Sequence, residues 1–219
     1  MAKALSIEQI YKKKFDVFNF EGEWAASFGQ PETNGVWLVY GLSGHGKTSF
    51  NMQLSRYLCS FKRVQYNTLE EGARKSFRDA MQRNNMHLAK YRFSINSEDY
   101  DDLLKRIENR KGHRIIVVDS LQYLGITKSE YRQLKRKAIQ HKKLIIFVSH
   151  ARGRKPLGAL AEFVEYDADV KIRVEGFTAF VKSRYGGGAD YIIWSEGAAK
   201  YWNKIKATHA RRHHQHHHP

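Results

Sequence analysis

The segment Gly41-Leu-Ser-Gly-His-Gly-Lys-Thr48 constrains the fold more than any other stretch, because its spacing, Gly-x-x-x-x-Gly-Lys-Thr, is that of a loop built to hold phosphate. Its flanks agree. Val36-Trp-Leu-Val-Tyr40 is a short apolar run suited to a fully buried parallel strand, and Phe50, Leu54, Leu58 and Phe61 then recur at helical spacing. Strand, glycine loop and helix follow in the order such a site requires: glycines let successive backbone N–H groups turn toward phosphate oxygens, and the helix adds its positive end. The expected nucleotide-binding residues are Gly41, Ser43, Gly44, His45, Gly46, Lys47, Thr48 and Ser49. Lys47 is expected to reach the β- and γ-phosphates of ATP, and the Thr48 hydroxyl to ligate Mg²⁺.

The rest of the chain continues the alternation. Arg63 to Glu71 reads as a strand ending at two carboxylates, Glu70 and Glu71, which could instead open the helix expected over 72–83. A short strand near 92–95 precedes a helix that Ser97 can cap, with Tyr100, Leu103, Leu104 and Ile107 as its apolar stripe. Arg114-Ile-Ile-Val-Val-Asp119 has the form of a Walker B strand, which would deliver Asp119 to its carboxyl edge as a second Mg²⁺ residue. A basic helix over 128–141 leads to a buried strand over 143–149 with His150 at its end. The following loop, 151–163, carries Arg152, Arg154 and Lys155, three cations suited to a phosphate backbone. Val170 to Val174 and Phe177 to Lys182 read as a hairpin turning at Glu175-Gly176, and Tyr191 to Trp194 as a last strand. The fold class implied is α/β: a mostly parallel twisted sheet with helices on both faces and antiparallel strands at one edge.

A chain of 219 residues suits one such domain, with an arm over 1–32, a core over 33–205 and a basic, His-rich, disordered tail over 206–219. Lysine and arginine number 38 against 22 aspartates and glutamates, a formal charge of +16 that favours polyanions and puts nucleic acid ahead of an anionic membrane. The single Cys59 excludes an internal disulfide framework and suits a reducing compartment. Neither a secretory signal nor an apolar run near the ~20 residues of a membrane helix is present, so a cytoplasmic protein with no membrane partner is expected.

Taken in order, the phosphate loop, the strand ending in Glu70, the Asp119 strand, the strand ending in Ser149-His150 and the late Lys182-Ser-Arg184 resemble the RecA-type ATPase core. Within that group they look most like the motor domain of DnaB-class hexameric replicative helicases. Thr68-Leu-Glu70 is similar to that family's Ser-Leu-Glu, Val118-Asp-Ser-Leu-Gln122 to its Asp-x-Leu-Gln, and Tyr166-Asp-Ala-Asp-Val170 to its Asp-Ala-Asp segment. The resemblance spans residues 33 to 195 and leaves out the family's separate N-terminal domain. It implies that Glu70 activates the attacking water, with Glu71 as the fallback, and that His150 senses the γ-phosphate. It also implies that Lys182 and Arg184 reach into a neighbouring copy's nucleotide site, which makes a homo-oligomeric ring or filament part of the mechanism.

The function expected is Mg²⁺-dependent ATP hydrolysis coupled to single-stranded DNA binding or translocation, in replication or recombination in a bacterial or phage-infected cell. Two other readings fit parts of the sequence. One is a core-only recombination mediator or strand-annealing ATPase. The other is a small-molecule P-loop kinase, for which Arg152 and Arg154 could form a lid but which leaves Lys182-Ser-Arg184 unexplained.

Overall fold

A computed structural model describes residues 4–215 of the chain. Its elements are α1 (Ile7–Lys12), α2 (Gly22–Phe28), β1 (Gly35–Gly41), α3 (Lys47–Leu58), β2 (Val64–Thr68), α4 (Lys75–Arg83), a 3-10 turn (Met86–Arg92), β3 (Phe93–Asn96), α5 (Tyr100–Glu108) and β4 (Ile115–Asp119). They continue with α6 (Leu121–Leu124), α7 (Lys128–Gln140), β5 (Leu144–Arg152), β6 (Lys155–Pro156), α8 (Ala159–Asp167), β7 (Val170–Glu175), β8 (Thr178–Ser183), β9 (Tyr191–Ile192) and α9 (Ser195–Gln215).

The sheet runs β3-β2-β4-β5-β1-β7-β8-β9, and β6 pairs only with β5. Strands β3 through β7 in that order are parallel, while β8 and β9 add antiparallel to the β7 edge. β1 lies at the centre and is buried along its whole length. Its side chains alternate between two cores, as the period of two demands. Trp37 and Val39 meet α3 and the aromatic residues Phe18, Phe20 and Phe28 of the arm. Val36, Leu38 and Tyr40 meet Leu103 and Ile107 of α5, Tyr131 and Leu134 of α7, and Val164 of α8. Each such side chain contributes about 1.5–3 kcal/mol by leaving water. The parallel centre is therefore buried on both faces, and the ends of its strands meet at one carboxyl edge.

Several local expectations shift. Asp99, not Ser97, caps α5, because its side chain accepts from the Asp102 amide at 3.0 Å. The hairpin turns at Gly176-Phe177 instead of Glu175-Gly176; both residues have positive φ (54° and 57°), the pair of left-handed conformations that matches the twist of a two-residue β-hairpin. The segment 151–163 is no open loop. β5 runs on through His150 to Arg152, turns at Gly153-Arg154, returns as β6 and enters α8 at Ala159. The largest difference is at the end of the chain, where α9 continues to Gln215, past residue 205 and into the stretch expected to be a disordered tail. The last four residues of that expected tail lie outside the described residues.

At the amino end of β5, Lys143 is fully buried and donates to the carbonyls of Arg106 and Asn109 at 2.6 and 2.7 Å, closing the last turn of α5. Burial, with Arg114 and Arg106 adding like charge, pushes its amine down to about 8.

Candidate nucleotide-binding site

The phosphate loop leaves β1 at Gly41 and enters α3 at Lys47, with Gly44 and Gly46 at φ 77° and 95°, conformations that L side chains avoid. The amides of Lys47, Thr48 and Ser49 open α3 and have no partner within the helix. The loop is latched from outside by the β7–β8 turn. The Gly176 amide donates to His45 Nδ1 at 2.9 Å, and the Phe177 amide donates to the His45 carbonyl at 3.0 Å. Tyr201 of α9 sets its ring 5.2 Å from the His45 imidazole and donates to Glu175 at 3.2 Å.

The neighbouring strands bring their carboxyl ends to the same edge. Register pairs Gly41 with His150, Val148 with Asp119, and Asp119 with Thr68. The end of β2 is tied across to β4 by the Leu69 and Glu70 amides, which donate to the Asp119 carbonyl at 2.7 and 3.4 Å. Glu70 and Glu71 therefore stand in the bend after β2, four or more residues before Lys75 starts α4, and not on the first turn of that helix. Glu70 Oε2 lies 3.0 Å from His150 Nε2.

Burial raises the Asp119 carboxyl above the usual carboxylate range, opposed by the Tyr66 hydroxyl and the Lys47 charge. Glu71 is raised as well, by burial and then by the charges of Asp119 and Glu70. Lys47 acts on both carboxylates, so loop cation and acidic edge form one electrostatic unit. Gln122, just beyond Asp119, donates to Ser149 Oγ at 2.8 Å and to the Leu157 carbonyl at 2.9 Å, and accepts from the His150 amide at 3.2 Å. It thereby fixes the end of β5 and the return of the β5–β6 hairpin together.

Arg152, Arg154 and Lys155 are exposed on that hairpin, with Arg154 3.9 Å from Glu175. Lys182 and Arg184 stand elsewhere. β8 runs back from the hairpin turn, so Lys182 pairs with Lys171, which pairs with Leu38, three residues before Gly41 and ~10 Å from it along the strand. Lys182 lines an open groove of about 980 Å³ on the uncovered side of β7 and β8 with Arg154, Lys155, Lys171 and Arg173. Arg184 lies past the strand end, 3.7 Å from Asp169. Within one chain these two residues do not join the phosphate loop.

A second recess, about 430 Å³, adjoins the phosphate loop and is lined by Ser49, Gln53, Arg83, Asn84, Phe177, Ile193 and Trp194. The Phe177 and Trp194 rings meet edge to face at 5.0 Å, so the recess has aromatic walls with amides and a guanidinium on its rim. These residues come from α3, the end of α4, the β7–β8 turn and the stretch between β9 and α9, and nothing in their sequence spacing joins them. Their one local signal is that Phe177 follows Gly176 in a turn.

No protein-family model matches the sequence, and no curated protein matches it either. The structure is similar to that of the flagellar accessory protein FlaH from Methanocaldococcus jannaschii, with a TM-score of 0.58 and 16% identity over 81% of this chain and 94% of FlaH. It is also similar to a second solved structure, an ATPase domain, with a TM-score of 0.52 and 14% identity over 72% of this chain and 80% of that domain. The fold is RecA-like. At these identities the likeness is one of fold.

Proposed function

We propose that this protein hydrolyses ATP with Mg²⁺ and couples the reaction to single-stranded DNA, as a homo-oligomer. The observation that carries the reading is the 3.0 Å contact of Glu70 with His150 beside the phosphate loop, on a strand that continues unbroken into the cationic hairpin. The loop amides and Lys47 would hold the phosphates, and the recess walled by Phe177 and Trp194 would take the base. Thr48 and Asp119 supply hard oxygen donors, and no group of three or more metal-ligating His, Cys, Asp or Glu side chains occurs among the described residues. That donor set fits Mg²⁺, which takes few protein ligands beside phosphate and water. When bound, the ion neutralises charge on the β- and γ-phosphates. Glu70 would orient the attacking water and accept its proton. His150, released from Glu70, would then be free to hydrogen-bond the γ-phosphate, and Gln122 would carry that movement to Arg152, Arg154 and Lys155 on the strand side.

The position of Lys182 and Arg184 supports action on a neighbouring copy, since the register carries both away from their own phosphate loop. The test is ATP hydrolysis with and without single-stranded DNA. Stimulation by the strand, and its loss together with basal turnover in Lys47→Ala, is the expected result. Unstimulated turnover with transfer of phosphate to a small acceptor would replace this reading with that of a kinase, and unchanged turnover in Lys47→Ala would end it.

A further inference from the structure

Tyr66 sits mid-strand in β2 with no exposed surface, and its ring packs against Phe77 and Phe93 at 5.4 and 6.1 Å. A phenylalanine would fill the same space. The hydroxyl is nevertheless present and fully engaged: it donates to Asp119 Oδ2 at 2.7 Å and receives the Asn51 amide at 3.4 Å. Asn51 is itself buried on α3, one turn beyond Lys47, and its Oδ1 has no hydrogen-bond partner among the described residues. One phenol thus joins the helix that opens at the phosphate loop to the carboxylate at the end of β4.

A carboxylate at a strand end can rotate about its last torsion, and both of its oxygens are equivalent until something distinguishes them. Here the distinction is made from below. Because the Asn51 N–H occupies a lone pair of the phenol oxygen, the phenol proton is directed at Asp119. A short bond from a neutral hydroxyl to an ionised acceptor is among the stronger hydrogen bonds a buried site can form. Oδ2 is committed to it, while Oδ1 accepts no hydrogen bond among the described residues. We infer that Tyr66 is a positioning residue that holds the Asp119 carboxylate with Oδ1 free for the magnesium-bound water, and that Asn51 fixes the phenol that does so. The inference rests on the nucleotide site proposed above and adds a residue to it.

The test is Tyr66→Phe, read first by binding of a fluorescent ATP analogue in EDTA and across a Mg²⁺ titration. Affinity in EDTA should stay within about twofold of the parent, while the Mg²⁺ concentration that half-saturates tight binding should rise roughly tenfold. The kcat at limiting Mg²⁺ should fall by a similar factor, with KM for the magnesium nucleotide little changed when the ion is in excess. Asn51→Ala, which leaves the phenol in place but unfixed, should shift the Mg²⁺ midpoint in the same direction by a smaller factor, and serves if Tyr66→Phe does not fold. An unchanged Mg²⁺ midpoint in the variant that folds, or equal losses of affinity in EDTA and in Mg²⁺, would overturn the positioning role. Failure of the parent protein to bind the analogue at all would overturn the nucleotide reading instead, so the two are told apart.

Discussion

Raising the pH from 7 to 9 should relieve a burial penalty on Lys143, and Lys143→Met should make the fold's stability respond less favourably to that rise; the buried Cys59 thiol, pushed up to about 11, works in the opposite direction in both proteins. The amine of Lys143 is pushed down to about 8 in the folded chain and returns to its ordinary 10.5 on unfolding. Between those values the amine binds more protons in the unfolded chain than in the folded one, so its contribution to stability rises with pH through the window. The burial penalty is fully present below about 8 and is gone above 10.5. Linkage puts the penalty at about 3 kcal/mol near neutrality, of which about 1.3 kcal/mol is relieved between pH 7 and pH 9. The carbonyls of Arg106 and Asn109 favour the charged amine and oppose the downshift, so the relief should not exceed this figure. In a chain of this length about 1.3 kcal/mol corresponds to roughly 3–5 °C in Tm, and this is the share of the pH response that should separate the parent from Lys143→Met. Urea denaturation at pH 7, 8 and 9, followed by tryptophan fluorescence, gives the slope directly. Absolute stability is not the readout, because Lys143→Met also orphans two carbonyls; the difference in pH slope between the two proteins is. Identical slopes would refute the account.

At the candidate site, Glu70→Gln should bind ATP as tightly as the parent and turn it over at least about a hundredfold more slowly, measured by steady-state phosphate release and nucleotide titration. Trp194→Ala should weaken binding of ATP while leaving binding of inorganic triphosphate unchanged, since it removes a wall of the aromatic recess and touches no phosphate group; calorimetry with both ligands decides. Gly176→Ala would drive a Cβ into the Tyr201 ring at a positive φ and should cost about 2 kcal/mol or more, a Tm lower by roughly 4–8 °C. Gly153→Ala has similar φ but open space around it and should cost only about 1 kcal/mol, so calorimetric Tm values for the pair isolate the Tyr201 contact.

The central strands were legible because a buried parallel strand must be apolar throughout, and Val36–Tyr40, Ile115–Val118 and Leu144–Val148 are. The turn between β1 and α3 was legible for a different reason: its spacing puts glycine at positions 44 and 46, where the backbone takes positive φ. What escaped was set by tertiary contact. The caps show it on a small scale, since Ser97 and Asp99 are both good caps and only packing chose Asp99. The aromatic recess shows it on a larger one, because Gln53, Arg83 and Trp194 meet only once the sheet has folded. The same holds for Tyr66, which reads in sequence as an ordinary core aromatic and in the fold reaches Asp119. α9 was missed because its first two turns pack half-buried aromatic side chains against a hairpin and a loop, giving no clean stripe against a sheet.

Anyone trimming the chain to a minimal nucleotide-binding unit would find a natural stopping point at Ile192, where the last strand ends. That cut would discard Trp194, Tyr201 and Trp202, whose indole N–H donates to Thr178 at 3.1 Å, and with them the far side of the latch on His45.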